Sequence, residues 1–154
     1  MKFIFSSFIL IFAFLLCSGV AKAQMPQPVP DPDATAIVYF YSLATTVTLG
    51  QVKKPVFLDD KEIAFIRPER YFIVVLDAGK HNFRLKNKKF GGIEMNFEAG
   101  KTYYIRINWE SEGTLRPSGI SKIAEESGAF DIKQLRPVDE GNIKDKTQVF
   151  TKLP

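Results

Sequence analysis

Residues 36–109 swing between short apolar runs, rich in β-branched and aromatic side chains, and clusters of Gly, Asp, Asn and Lys that turn the chain at intervals of roughly 8–12 residues. Strands that short can bury an apolar face only against a second layer. The spacing therefore predicts a mainly β fold: a small antiparallel β-sandwich or a partly open barrel. Residues 36–43 (Ala-Ile-Val-Tyr-Phe-Tyr-Ser-Leu) are apolar on both faces, as a central strand covered on both sides would be. Val47-Thr48-Leu49 would extend that strand or form a short second one. Residues 56–58 and 63–66 flank Asp59-Asp60-Lys61-Glu62 as in a tight hairpin. Residues 71–76 are the second strong β run and end at Asp77-Ala78-Gly79, where Gly79 is free to take positive φ.

Three later segments alternate with a period of two. His81, Phe83 and Leu85 oppose Asn82, Arg84 and Lys86. Ile93, Met95 and Phe97 oppose Glu94, Asn96 and Glu98. Tyr103, Ile105, Ile107 and Trp109 oppose Thr102, Tyr104, Arg106 and Asn108. Each pattern predicts a strand with one wet face. Further on, residues 118–124 suit a last strand, and residues 125–135 suit one short C-terminal helix with Ala129, Ile132 and Leu135 near helical spacing, shortened by Gly128. The β domain is expected to span residues 36–138. Residues 139–154 mix charges with isolated apolar side chains and are expected to form a flexible tail.

The N-terminus has a short basic head at Lys2, an apolar run over residues 3–16 and a small-x-small site at Ala21-Lys22-Ala23, the pattern of a signal peptide over residues 1–23. A membrane-spanning helix needs about 20 apolar residues, more than this run supplies. Cys17 raises the alternative of a lipidated N-terminus, but Leu16 stands where lipoprotein processing wants a small residue. Cleavage after Ala23 would leave residues 24–154 without cysteine, hence with no disulfide, thiolate nucleophile or thiolate metal site. Residues 24–35 carry Pro26, Pro28, Pro30 and Pro32 and read as an extended tether. Loss of Lys2 and Lys22 lowers the net charge from +4 to +2, too little to suggest nucleic acid as a partner. The expected location is periplasmic, at the outer envelope or secreted, with no transmembrane segment after cleavage.

Four segments taken in order carry a family likeness: Val38-Tyr39-Phe40-Tyr41, Pro55-Val56-Phe57-Leu58-Asp59-Asp60-Lys61, residues 71–81 ending in Ala78-Gly79-Lys80-His81, and Ala99-Gly100-Lys101-Thr102-Tyr103-Tyr104-Ile105-Arg106. Over residues 36–135 the chain resembles the exported bacterial family catalogued as domain of unknown function 2846. That resemblance implies a small extracytoplasmic β domain behind a signal peptide or lipid anchor, and it brings no activity, cofactor or catalytic residue. Asp60 stands where the family commonly has glycine.

His81 is the single histidine, so a zinc site or Ser-His relay would rest wholly on it. Its place just after a glycine turn favours a structural role. Asp59, Asp60 and Glu62 lack the spacing of a calcium loop and read as turn chemistry. Gly100-Lys101-Thr102 mimics the end of a phosphate-binding loop, but Met95 stands where that motif needs its first glycine and a strand follows where a helix should. Lys80, Arg84, Lys86, Lys88 and Lys89 form a basic hairpin that would meet an anionic polymer or lipid head group, or would simply guard an edge against strand pairing. Tyr39, Tyr41, Tyr71, Tyr103, Tyr104 and Trp109 would either stack on sugars or fill the core, and Tyr104, sharing a face with Arg106, is the ring expected to be most exposed. These residues predict a non-catalytic module without cofactor or metal. Its partner would be an envelope glycan, an anionic lipid or polymer, or a protein. The rival readings are a hydrolase using Asp59 and Asp77, which sit in separate turns, and an accessory subunit that adds a strand edge to a partner.

Overall fold

A computed structural model describes residues 31, 33–44, 53–85, 92–108 and 119–154, which form two facing sheets with one short helix and no closed barrel. Val47-Thr48-Leu49 and Trp109 lie outside the described residues. β1 (Thr35–Ser42) is central, as its composition predicts: β4 (Arg70–Asp77) pairs antiparallel along its whole length on one side and β7 (Thr102–Ile107) lies on the other. β8 (Ile120–Ile123) follows β7. The second sheet runs β3 (Lys61–Ile66), β2 (Lys54–Leu58), β5 (Gly79–Arg84), β6 (Ile93–Phe97).

A chain of rings joins the layers. Phe72 stacks on Phe40 in the first sheet with centroids 5.5 Å apart, and Phe40 meets Phe83 of the second at 4.6 Å. Phe83 meets Phe97 edge-on at 5.8 Å, and Phe97 returns to Tyr103 of the first sheet at 4.9 Å. Each such pair contributes about 0.5–1.5 kcal/mol beyond the area it buries. Val38, Val56, Ile63, Ile66, Val74 and Ile105 fill the space between, all fully buried.

Local chemistry explains how the chain moves between the layers. Asp59 (φ 46°) and Asp60 (φ 72°) are both left-handed, which a two-residue type I′ hairpin requires, so the absence of glycine at Asp60 leaves the tight turn intact. β4 passes into β5 through Ala78 alone, and Gly79 at φ 142° takes a conformation other residues avoid. After β6 the chain re-enters the first sheet beside β1 and in the same direction. The β1–β7 pair is therefore parallel, and the sheet is mixed where simple alternation of hairpins predicted antiparallel pairing. The helix α1 (Glu125–Ile132) lies within the segment predicted to carry it. Gly128 does more than shorten it: a Cβ there would sit 2.2 Å from Cγ of Tyr104, so glycine is what lets the helix lie on β7.

The C-terminal segment is where expectation and structure part. Residues 139–150 are built into the sandwich, and the domain runs well past residue 138. β9 (Arg136–Pro137) pairs parallel with β4, a 3-10 turn (Glu140–Asn142) crosses to the other layer, Ile143 bridges Ala64 on β3, and β10 (Val149–Phe150) pairs antiparallel with β4. Val138, Ile143 and Val149 are buried in the core. Val138 and Val149 anchor beside β4 and Ile143 beside β3, a spacing that a search for regular periodicity reads as noise.

Candidate functional site

The residues that suggested a binding surface fall on two opposite outer faces. Lys80 and Arg84 sit four residues apart on one face of β5, on the outside of the second sheet; Tyr104 and Arg106 lie on β7, on the outside of the first. Lys86, Lys88 and Lys89 lie outside the described residues. Lys80 is exposed and stands 3.5 Å from Glu94 Oε1 across the ladder. Arg84 is not on a wet face: it is buried, its guanidinium lies 5.0 Å over the Phe57 ring, and its Nη2 donates to Asp60 Oδ1 at 2.5 Å. A guanidinium spread on an aromatic ring with a carboxylate at its tip is satisfied within the fold.

His81 is similarly engaged. Its Nδ1 lies 2.5 Å from Asp59 Oδ2 and its Nε2 lies 2.9 Å from the carbonyl oxygen of Asp77. The two contacts, one on each ring nitrogen, fix the orientation of the imidazole. Asp59 Oδ1 also accepts from the amide of Asn82 at 2.8 Å. The single histidine thus ties the β2–β3 hairpin to the β4–β5 junction. The fold does bring Asp59 and Asp77 to one imidazole, which their separate turns gave no reason to expect, but Asp77 meets the ring with its backbone carbonyl. Among the described residues no three His, Cys, Asp or Glu side chains are grouped to hold a metal ion.

On the outside of the first sheet, Tyr39 of β1 lies between Tyr104 and Tyr71. The Tyr39 and Tyr104 rings are 10° from parallel with centroids 5.2 Å apart, too close for rings lying side by side in one plane. They overlap face on face, so each covers one π-surface that a sugar would otherwise use. All three are half-buried; burial, then the neighbouring phenols, push the Tyr39 hydroxyl above its ordinary range, and burial does the same to Tyr104. Tyr41 is fully buried and donates from its hydroxyl to Asp131 Oδ2 of α1 at 2.7 Å; burial first, then that bond, hold the phenol protonated far above the usual range. Arg106 is half-buried beside it with Nε enclosed and unpartnered.

The edges of the sheets supply the remaining candidate, and here the sequence located the strand without revealing its position. The edge of β4 is filled by β9 and β10, with the Val138 amide donating to the Tyr71 carbonyl and the Val75 amide to the Gln148 carbonyl. The edge of β3 is covered at Ile63, whose carbonyl accepts from the amides of Lys144 and Asp145. Asp145 locks this turn. Burial alone would raise its carboxyl, but the Lys61 ammonium at 2.7 Å and two bonds from Thr147 pull it below its ordinary range.

β6 has no such cover among the described residues. Asn82 spends its backbone N–H and C=O on the Asp59 side, so the Asn82–Glu94 pair on β6 is a non-hydrogen-bonded one. By the alternation of an antiparallel ladder, Glu94 and Asn96 turn their N–H and C=O groups outward. Both residues are exposed, and Ile93 and Met95 on the inner side are half-covered. The signal for this edge was the Glu94/Asn96 alternation itself; which strand it neighbours is not written locally.

No family model matches the chain, and no solved structure matches it. It is 28% identical over 86 residues to a protein from Haemophilus influenzae described as uncharacterized, a match that takes in 54% of this chain and 51% of that protein. The chain thus spans about half the length of the curated relative it matches.

Proposed function

We propose that this chain is an exported, non-catalytic β module of the cell envelope that associates by adding its β6 edge to a strand of a protein partner. The observation that carries the reading is the row of outward backbone groups at Glu94 and Asn96, in a sandwich whose β3 and β4 edges are occupied by its own C-terminus. The signal-like leader, the proline tether and the resemblance to an exported family support the envelope setting. A glycan platform is less favoured because Tyr39 and Tyr104 cover each other, and a basic docking patch is less favoured because Arg84 is spent on Asp60 and Phe57.

The test is co-sedimentation of the purified protein with envelope fractions across a salt series, beside a Glu94→Pro variant. Proline there removes one outward donor and leaves the bonds to β5 in place. Strand addition predicts binding that resists salt and is lost in the variant. Binding that fades with salt and ignores the proline would point to the basic hairpin instead and overturn the reading.

A further inference from the structure

We infer that the strand which pairs with β6 is the β6 of a second copy, giving a two-fold dimer with the symmetry axis at Met95. The inference rests on the strand-addition reading and specifies its partner. Two identical antiparallel strands can bond only in registers that set their outward-facing residues opposite each other. For β6 these residues are Glu94 and Asn96, which leaves three two-fold registers. An axis at Glu94 places the two Glu94 carboxylates directly opposite. An axis at Asn96 places Glu94 opposite Glu98 of the second copy, twice. Like charges set opposite each other destabilise a ladder. The axis at Met95 alone places each Glu94 opposite the Asn96 amide of the second copy and sets no like charges against each other.

That register uses every outward backbone group of Glu94 and Asn96, four hydrogen bonds across the axis. It places Met95 against Met95 of the second copy on the inner side, where Ile93 and Met95 are half-covered in the single chain. The two four-stranded sheets become one of eight strands, closed by symmetry, so no further copy can add at that edge. The matched segment is only five residues long. The dimer is accordingly expected to be weak and concentration-dependent.

Sedimentation velocity of the purified full chain, from low micromolar to near-millimolar concentration, tests the inference. The wild type is expected to pass from monomer to dimer, and Glu94→Pro to stay monomeric with an unchanged circular-dichroism spectrum and melting curve. Asn96→Glu sets two carboxylates opposite each other on both sides of the axis and is expected to weaken the dimer about tenfold. Adding Glu94→Lys to that variant turns both contacts attractive and is expected to restore it. A wild type that is monomeric throughout overturns the second-copy assignment, as does a dimer indifferent to the proline. A proline-sensitive dimer indifferent to the charge changes overturns the Met95 register. Proline-sensitive envelope binding by a monomeric wild type would leave strand addition standing with a different partner, whereas loss of proline sensitivity in both experiments removes both.

Discussion

Along β3 and β4 the chain's own C-terminus completes the ladders, while along β6 nothing among the described residues does. The two margins use the same backbone chemistry with different outcomes. At the closed margin Val149, Ile143 and Val138 each carry apolar surface into the core, and hydrogen bonds such as Val75 to Gln148 satisfy the edge. At the open margin Glu94 and Asn96 put polar side chains on the surface, and the Lys80–Glu94 pair places charge beside the exposed edge. The closed margin takes its stability from residues 138–149; the open one carries exposed polar and charged side chains of its own.

The most direct way to break the contrast is to delete residues 139–154, which removes the burial of Ile143 and Val149. At about 1.5–3 kcal/mol for each, the loss should be about 3–6 kcal/mol in urea unfolding, with aggregation from the bared β4 edge. Gly128→Ala sharpens the contrast from elsewhere. Its Cβ cannot fit against Tyr104, so about 2 kcal/mol should be lost by lifting α1 from β7, while amide exchange at Val75 and Val138 stays slow.

Acid should loosen the closed margin selectively. The folded Asp145 carboxyl is held below its ordinary range, so its contribution is present at neutral pH and is lost as pH falls below roughly 4 and through the depressed folded value. The expected cost is about 1 kcal/mol, seen first as faster exchange of the Lys144 and Asp145 amides. Glu69 has φ 58° and follows Pro68 in the turn into β4, a left-handed position suited to glycine. Glu69→Gly should therefore stabilise the chain by about 0.5 kcal/mol in thermal melts. The smallest effect is reserved for the open margin: Glu94→Pro should shift stability by less than about 0.5 kcal/mol, since no backbone bond to β5 is lost and the exposed Lys80–Glu94 pair contributes little.

Much of the sandwich was legible because its strands alternate. The patterns at 93–98 and 102–107 assign Ile93, Met95 and Phe97, and Tyr103, Ile105 and Ile107, to the inner faces they occupy. Arg84 broke the same rule, since alternation placed it in water and the fold laid it on Phe57; long cationic side chains cover apolar surface while their tips find a carboxylate. The parallel β1–β7 pair and the C-terminal seal were illegible for a common reason. Both join residues far apart in the chain, and neither Ile143 nor Val149 has a periodic neighbour to mark it. The tyrosines were identifiable as aromatic, but their mutual stacking follows from Tyr39 and Tyr104 being opposite partners in that parallel pair.

The parallel pair also sets an order of events in time. Residue 37 must find residue 102, and β1 cannot complete its second ladder until β7 exists. For a chain that arrives N-terminus first, the earliest strand is among the last to be enclosed, with most of the polypeptide in between as the loop to be closed. Such distant closure slows folding toward the millisecond-to-second range of all-β domains. Throughout that interval the apolar face of β1 is the segment most in need of protection from other chains.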